Sequence, residues 1–188
     1  NIVAGIQKAV TDLEPHAVVL GLPHSYRAPG FSRLVEEVAQ AGERPLILAR
    51  LSDAVDFRRI VLLIGNPHEL ASLEPLVSSV GTLGEPKVSI FLCASQSDPP
   101  VDLAGTTREL KAVALSMEFS QQVECKVISE ESPLRETLRE TAKHDLVVMN
   151  LGDKGAESRA LCDSWADSVA KCSDCSLLLL RGDLRSNV

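Results

Sequence analysis

Short apolar runs, each set off by a stretch with helical spacing, recur along the whole chain, and this alternation constrains the fold more than any other feature. The runs are Ala17–Gly21 (AVVLG), Pro45–Arg50 (PLILAR), Arg59–Ile64 (RIVLLI), Lys87–Cys93 (KVSIFLC), Val123–Ile128, Asp145–Asn150 (DLVVMN) and Ser176–Arg181 (SLLLLR). They are brief and rich in Val, Ile and Leu, as buried strands are. Near-continuous apolar strands alternating with helices predict a parallel sheet covered on both faces. The helical stretches show their inward faces by spacing: Ile2, Val3, Ile6, Val10 and Leu13 ahead of Pro15, then Phe31, Leu34, Val35 and Val38 ahead of Gly42. Further helices are expected over Leu70–Val80, Leu103–Phe119, Leu134–His144 and Glu157–Cys172. Ser132-Pro133 followed by Glu136 resembles a capping arrangement at a helix start.

The strands fall into two units. Residues 57–183 hold five strands, a complete open α/β unit with helices on both faces. Residues 1–52 read helix, strand, helix, strand, which is the C-terminal half of such a unit. Both end alike, AVVLGLPHS…RPLILAR against DLVVMNLGDK…CSLLLLR, so the pattern is an internal duplication with the front of the first copy missing. The expected fold is α/β: an open, mostly parallel five-stranded sheet preceded by a partial second copy. Asn1 leads at once into Ile2 and Val3, which reads as a cut within a larger protein.

Charge and composition exclude several functions. Lys plus Arg is 19 and Asp plus Glu 26, a net charge of −7, which opposes binding to nucleic acid or anionic lipid. Aromatic residues are only 3%, too few for base-stacking platforms. The longest apolar runs fall far short of the ~20 residues of a membrane helix. Five cysteines in no framework spacing point to a reducing compartment.

Ligands of open α/β sheets sit at the carboxyl ends of strands, so the candidate segments are Gly65–Glu69, Gly21–Arg27 and Asn150–Gly155. Asn66-Pro67-His68-Glu69 also fits a plain strand-to-helix turn. Gly21 is expected in a tight turn where a side chain would clash. Cys172 and Cys175 form a C-x-x-C, but it closes a helix and enters a strand, where the dipole disfavours thiolate. His16, His24, His68 and His144 are scattered, and no nucleophile–base pairing or paired metal-ligand motif is legible. The expectation is no enzyme, no cofactor and no metal.

The complete unit resembles the universal stress protein fold. That family cradles ATP phosphates with Gly-x-x-Gly, nine residues, then Gly-Ser/Thr, and holds the nucleotide with an Asp after its first strand. Asn150, Asp153, Asp163 and Ser164 stand at the matching loop positions, and Gly65 follows the first strand. Carboxylates at Asp153 and Asp163 replace glycines whose bare backbone approaches phosphate, so the loop is degenerate.

A more specific resemblance runs in order from about Gly5 to Gly182. Gly21-Leu-Pro-His-Ser-Tyr-Arg27, KVSIFLCASQ, DLVVMNL and SLLLLRG are similar to segments of the cytoplasmic C-terminal domain of cation-chloride cotransporters. Leu22 and Tyr26 stand where that family has Trp, and Ser129–Lys143 is short, as in a compact, prokaryotic-type member. The resemblance implies a non-catalytic regulatory and dimerisation domain of a Na-K-Cl-type cotransporter, on the cytoplasmic side of the cell membrane. Its partners would be a second copy and the transmembrane part, with no small-molecule substrate of its own. The alternatives are a universal stress protein-type nucleotide-binding protein, or the tail of another transporter such as a cation/proton antiporter or amino-acid permease.

Overall fold

The computed structural model describes residues 2–23, 31–41, 44–52, 57–81, 86–93, 103–117, 123–128, 133–151 and 165–187. In chain order the elements are α1 (Ile2–Leu13), β1 (Val18–Gly21), α2 (Phe31–Ala41), β2 (Leu46–Arg50), β3 (Arg59–Ile64), α3 (Glu69–Gly81), β4 (Lys87–Cys93), α4 (Leu103–Leu115), β5 (Val123–Ile128), α5 (Pro133–Thr141), β6 (Leu146–Asn150), α6 (Trp165–Cys172), β7 (Ser176–Arg181) and a closing 3₁₀ turn, Leu184–Asn187.

All seven strands join one sheet in the order β1-β2-β7-β6-β3-β4-β5. Every pairing is parallel except β2 against β7. The sheet is therefore wider than the expected five strands. The two strands of residues 1–52 extend it through the antiparallel β2–β7 seam, with Leu48 opposite Leu179.

Alternation along the strands feeds two cores. On one face Leu46, Leu48, Val147 and Leu179 meet α1, α2 and α6 through Val3, Val35, Val38 and Val169. On the other, Ile60, Leu62, Val148 and Leu180 meet α3 and α4 through Leu70, Leu73 and Leu110. Leu48, Leu62, Val148 and Leu179 are 0% exposed, and burying each such side chain stabilises by about 1.5–3 kcal/mol.

Local chemistry sets the boundaries. α1 stops where Glu14 turns to φ 44°, its N–H still reaching the Val10 carbonyl at 3.0 Å, and Pro15 cannot continue the helix. α4 ends at Leu115, short of the expected Phe119: the Ser116 hydroxyl takes the Val113 carbonyl at 2.7 Å in competition with the backbone. After β7, Gly182 at φ 97° turns the chain back against Pro45. Gly21, by contrast, has no atom within 4 Å of an added Cβ and no positive φ, so the expected tight turn there is corrected. It is simply the last residue of β1, opposite Ala49.

Candidate functional site

The chain leaves β3 toward β4 on one side and leaves β6 toward β7 on the other, so the strand order reverses between β3 and β6. The carboxyl ends of these two strands, Gly65 after β3 and Asn150 in β6, flank the crevice where sheets of this kind take ligands.

The β3 side of that crevice is closed by the chain's own groups. Glu69, the first residue of α3, folds back so that Oε2 accepts the Gly65 N–H at 3.1 Å and Oε1 accepts Asn66 Nδ2 at 2.7 Å. The Asn66 side-chain oxygen accepts the His68 N–H at 3.0 Å, and the Asn66 carbonyl takes the Glu69 N–H at 3.2 Å. The turn thus satisfies its own donors, as a structural strand-to-helix turn does. A Cβ on residue 65 would stand 3.2 Å from the Glu69 carboxylate. Burial pushes the Glu69 carboxyl above its ordinary value, against the opposing pull of the Gly65 and Asn66 amides. The carboxylate brings negative charge to the place where a phosphate would need positive or neutral donors.

On the β6 side, Asn150 pairs with Leu180, and the next amide, Leu151 N–H, is spent on the Leu180 carbonyl at 2.7 Å. The remaining loop positions, Asp153, Asp163 and Ser164, lie outside the described residues, as do His24, Tyr26 and Arg27. Of the four matching loop positions, Asn150 stands at the crevice, at the end of β6.

The other candidates have structural occupations. Cys172 ends α6 and is exposed, while Cys175 precedes β7 with its thiol 2.7 Å from the Ser173 hydroxyl. Burial raises the Cys175 thiol and pushes Cys93 up to about 11, which leaves both protonated at neutral pH and poor nucleophiles. Among the described residues no group of three or more His, Cys, Asp or Glu could hold a metal ion. His144 donates from Nδ1 to the Glu140 carbonyl at 2.9 Å, its Nε2 lies 2.9 Å from the Ser89 hydroxyl, and its ring meets Phe91 edge-on. Asp145 staples the start of β3: its carboxylate accepts the Arg58 and Arg59 N–H groups at 3.1 and 2.9 Å and Arg59 Nη2 at 2.8 Å.

Two features escaped the sequence reading. Arg50, 7% exposed, donates to the carbonyls of Ala170, at 2.7 Å, and Ser173 at the C-terminal end of α6. The signal for it was an Arg closing the last strand of both units. Glu136, in the first turn of α5, is a buried acid shared by Lys126 and Arg139, and the Lys126 ammonium holds its carboxyl below its ordinary value; Ser132, its partner in the expected capping arrangement, lies outside the described residues.

No protein-family model matches the chain, and no curated protein does. Solved structures do. A universal stress protein from Archaeoglobus fulgidus DSM 4304 superposes with a TM-score of 0.62 at 15% identity, over 96% of this chain and 65% of its own. A universal stress protein candidate from Pseudomonas aeruginosa UCBPP-PA14 gives 0.62 at 12% identity, over 97% and 69%. A protein of unknown function from Pseudomonas aeruginosa PAO1 gives 0.59 at 12%, over 98% and 70%. This chain thus spans just under two thirds of the Archaeoglobus protein. Likeness at these identities is a likeness of fold: the chain is an α/β protein with a mostly parallel seven-stranded sheet of the universal stress protein-like type.

Proposed function

We propose that this is a stress-protein-type module that acts by association and regulation, without catalysis and without a bound nucleotide. One observation carries the reading: the Glu69 carboxylate is hydrogen-bonded across the carboxyl end of β3, at the crevice where a nucleotide would lie. The degenerate glycine positions Asp153 and Asp163 support it from sequence. For the parent protein, the collinear motif set from Gly5 to Gly182 favours the tail of a cation-chloride cotransporter, acting on the cytoplasmic side with a second copy and the membrane part as partners. Among the described residues no helix is long and apolar enough to cross a membrane, so ion passage would belong to other parts of such a parent.

A second reading is a nucleotide-binding stress-type protein. The strand order and the likeness to two stress-type proteins favour it over the transporter tail. Calorimetry with ATP and AMP separates the two. The module reading expects no heat at millimolar nucleotide, and saturation at micromolar nucleotide would refute it. Analytical ultracentrifugation tests the association, for which a reversible dimer in the tens-of-micromolar range is expected and a strict monomer would refute it.

A further inference from the structure

Among the described residues the sheet ends in two open edges, and they are built differently. β5, at one end, carries Glu124 and Lys126, and Lys126 is tied to Glu136 and Glu140 at 2.9 and 3.4 Å. Charged side chains on an edge strand discourage another strand from adding to it. β1, at the other end, reads VVLG, has no charge, and leaves Val19 62% exposed.

A pseudo-two-fold axis passes through the Leu48–Leu179 pair of the antiparallel seam and relates the β1–β2 pair to β6–β7. The match extends to single bonds. Leu22 N–H reaches the Ala49 carbonyl at 2.7 Å, and Leu151 N–H reaches the Leu180 carbonyl at 2.7 Å. Val19 opposes Ile47 as Val148 opposes Leu178, so Val19 and Val148 are equivalent positions. Their surroundings are not equivalent. Val148 is 0% exposed because β3 lies parallel along its strand, with Leu62 beside it, and α3 covers its face with Leu70 and Leu73. Among the described residues nothing takes the place of β3 and α3 beside β1.

We infer that the outer edge of β1 is a docking site for a strand–helix segment of a partner polypeptide: an uncharged apolar strand lying parallel to β1, followed by an amphipathic helix that covers Val19. This goes beyond the proposed function and holds whichever parent or ligand the module has. The orientation comes from the symmetry, and the chemistry from the edge: unpaired backbone groups, apolar side chains, and none of the charges that guard β5.

The test uses the 188-residue chain and, as probe, a synthetic peptide of its own residues 57–81, the β3–α3 segment that has no counterpart beside β1 among the described residues. Amide hydrogen exchange should slow by about tenfold or more at Val19 and Gly21 on adding peptide, because the Val18 N–H is already held by the Pro45 carbonyl and the Leu22 N–H by the Ala49 carbonyl, which turns the amides of residues 19 and 21 to the open edge. Val19→Lys should abolish that protection without lowering the melting temperature, because residue 19 is exposed. A spin label on the peptide's N-terminus should broaden the Val18 resonance more than that of Gly21, as parallel pairing requires. No protection at millimolar peptide, broadening at the Gly21 end, or protection that survives Val19→Lys would each overturn the inference. So would protection that rises with chain concentration alone, since that would put a second copy on the edge. A dimer unaffected by Val19→Lys leaves this edge open, so the outcome here and that of the association test are read separately.

Discussion

Removing the guanidinium of Arg50 is the sharpest test of how the two parts of the sheet are joined. Arg50 closes β2, yet its two bonds go to the end of α6, more than a hundred residues away in sequence. The last carbonyls of a helix have no intrahelical donors and form the negative end of its dipole, so a buried cation there meets both needs. Arg50→Met keeps the length and apolar stem and removes every donor. Two charge-assisted bonds at about 1.5–3 kcal/mol each give about 3–6 kcal/mol gross. Relief of the buried guanidinium's desolvation returns part of this, leaving a net loss of about 2–4 kcal/mol. Urea denaturation reads it directly. With a slope near 2 kcal/mol/M the midpoint should fall by about 1–2 M at unchanged slope. Arg50→Lys, a single point charge in place of a planar fork, should fall between the two. A loss under about 1 kcal/mol for Arg50→Met, or a Lys variant as stable as the parent, would refute the reasoning.

Three further substitutions probe other points. Asp145→Asn should cost about 1 kcal/mol at pH 7 by ending the ion pair with Arg59. The Arg59 guanidinium holds the folded Asp145 carboxyl below its ordinary value, so its contribution is complete above the usual aspartate pKa of about 3.9 and fades as pH falls through the lower folded value; the variant's deficit in acid melts should shrink accordingly. Glu14→Gly should raise stability by about 0.5–1 kcal/mol, or about 2 °C in melting temperature, because residue 14 holds φ 44° at the end of α1. Gly21→Val should change stability by less than about 0.5 kcal/mol, since the position is open and extended; a loss above about 1 kcal/mol would restore the tight turn.

The strands were legible because each is a compact block of Val, Ile and Leu bounded by turn residues, and all seven are found within a residue of the expected limits. The join between the parts was not legible. Nothing in PLILAR or SLLLLR tells whether two such strands pair or lie in separate sheets, because pairing is a long-range contact that apolar pattern leaves open. The crevice was only half legible. Gly65 was visible as a departure from the phosphate-holding pattern, but Glu69 looked like an ordinary acid in the first turn of a helix. Its role depends on a side chain folding back over four residues, which spacing permits and does not require. Arg50 was hidden for the opposite reason: its partners are main-chain carbonyls, which carry no residue-type signature.

The leucine-rich seam between β2 and β7 has a consequence for chains that lack β2. The Leu48–Leu179 pair sits on an axis that relates LILAR of residues 46–50 to LLLLR of residues 177–181, two apolar strands each closed by Arg, so a second β7 could take the place of β2. What is here an internal joint, favoured because both strands share one polypeptide, would become a contact between molecules. A chain shortened to begin at Asp53 should therefore pair through β7 about a true two-fold, and should lose that pairing on dilution, whereas the longer chain keeps its joint at any concentration.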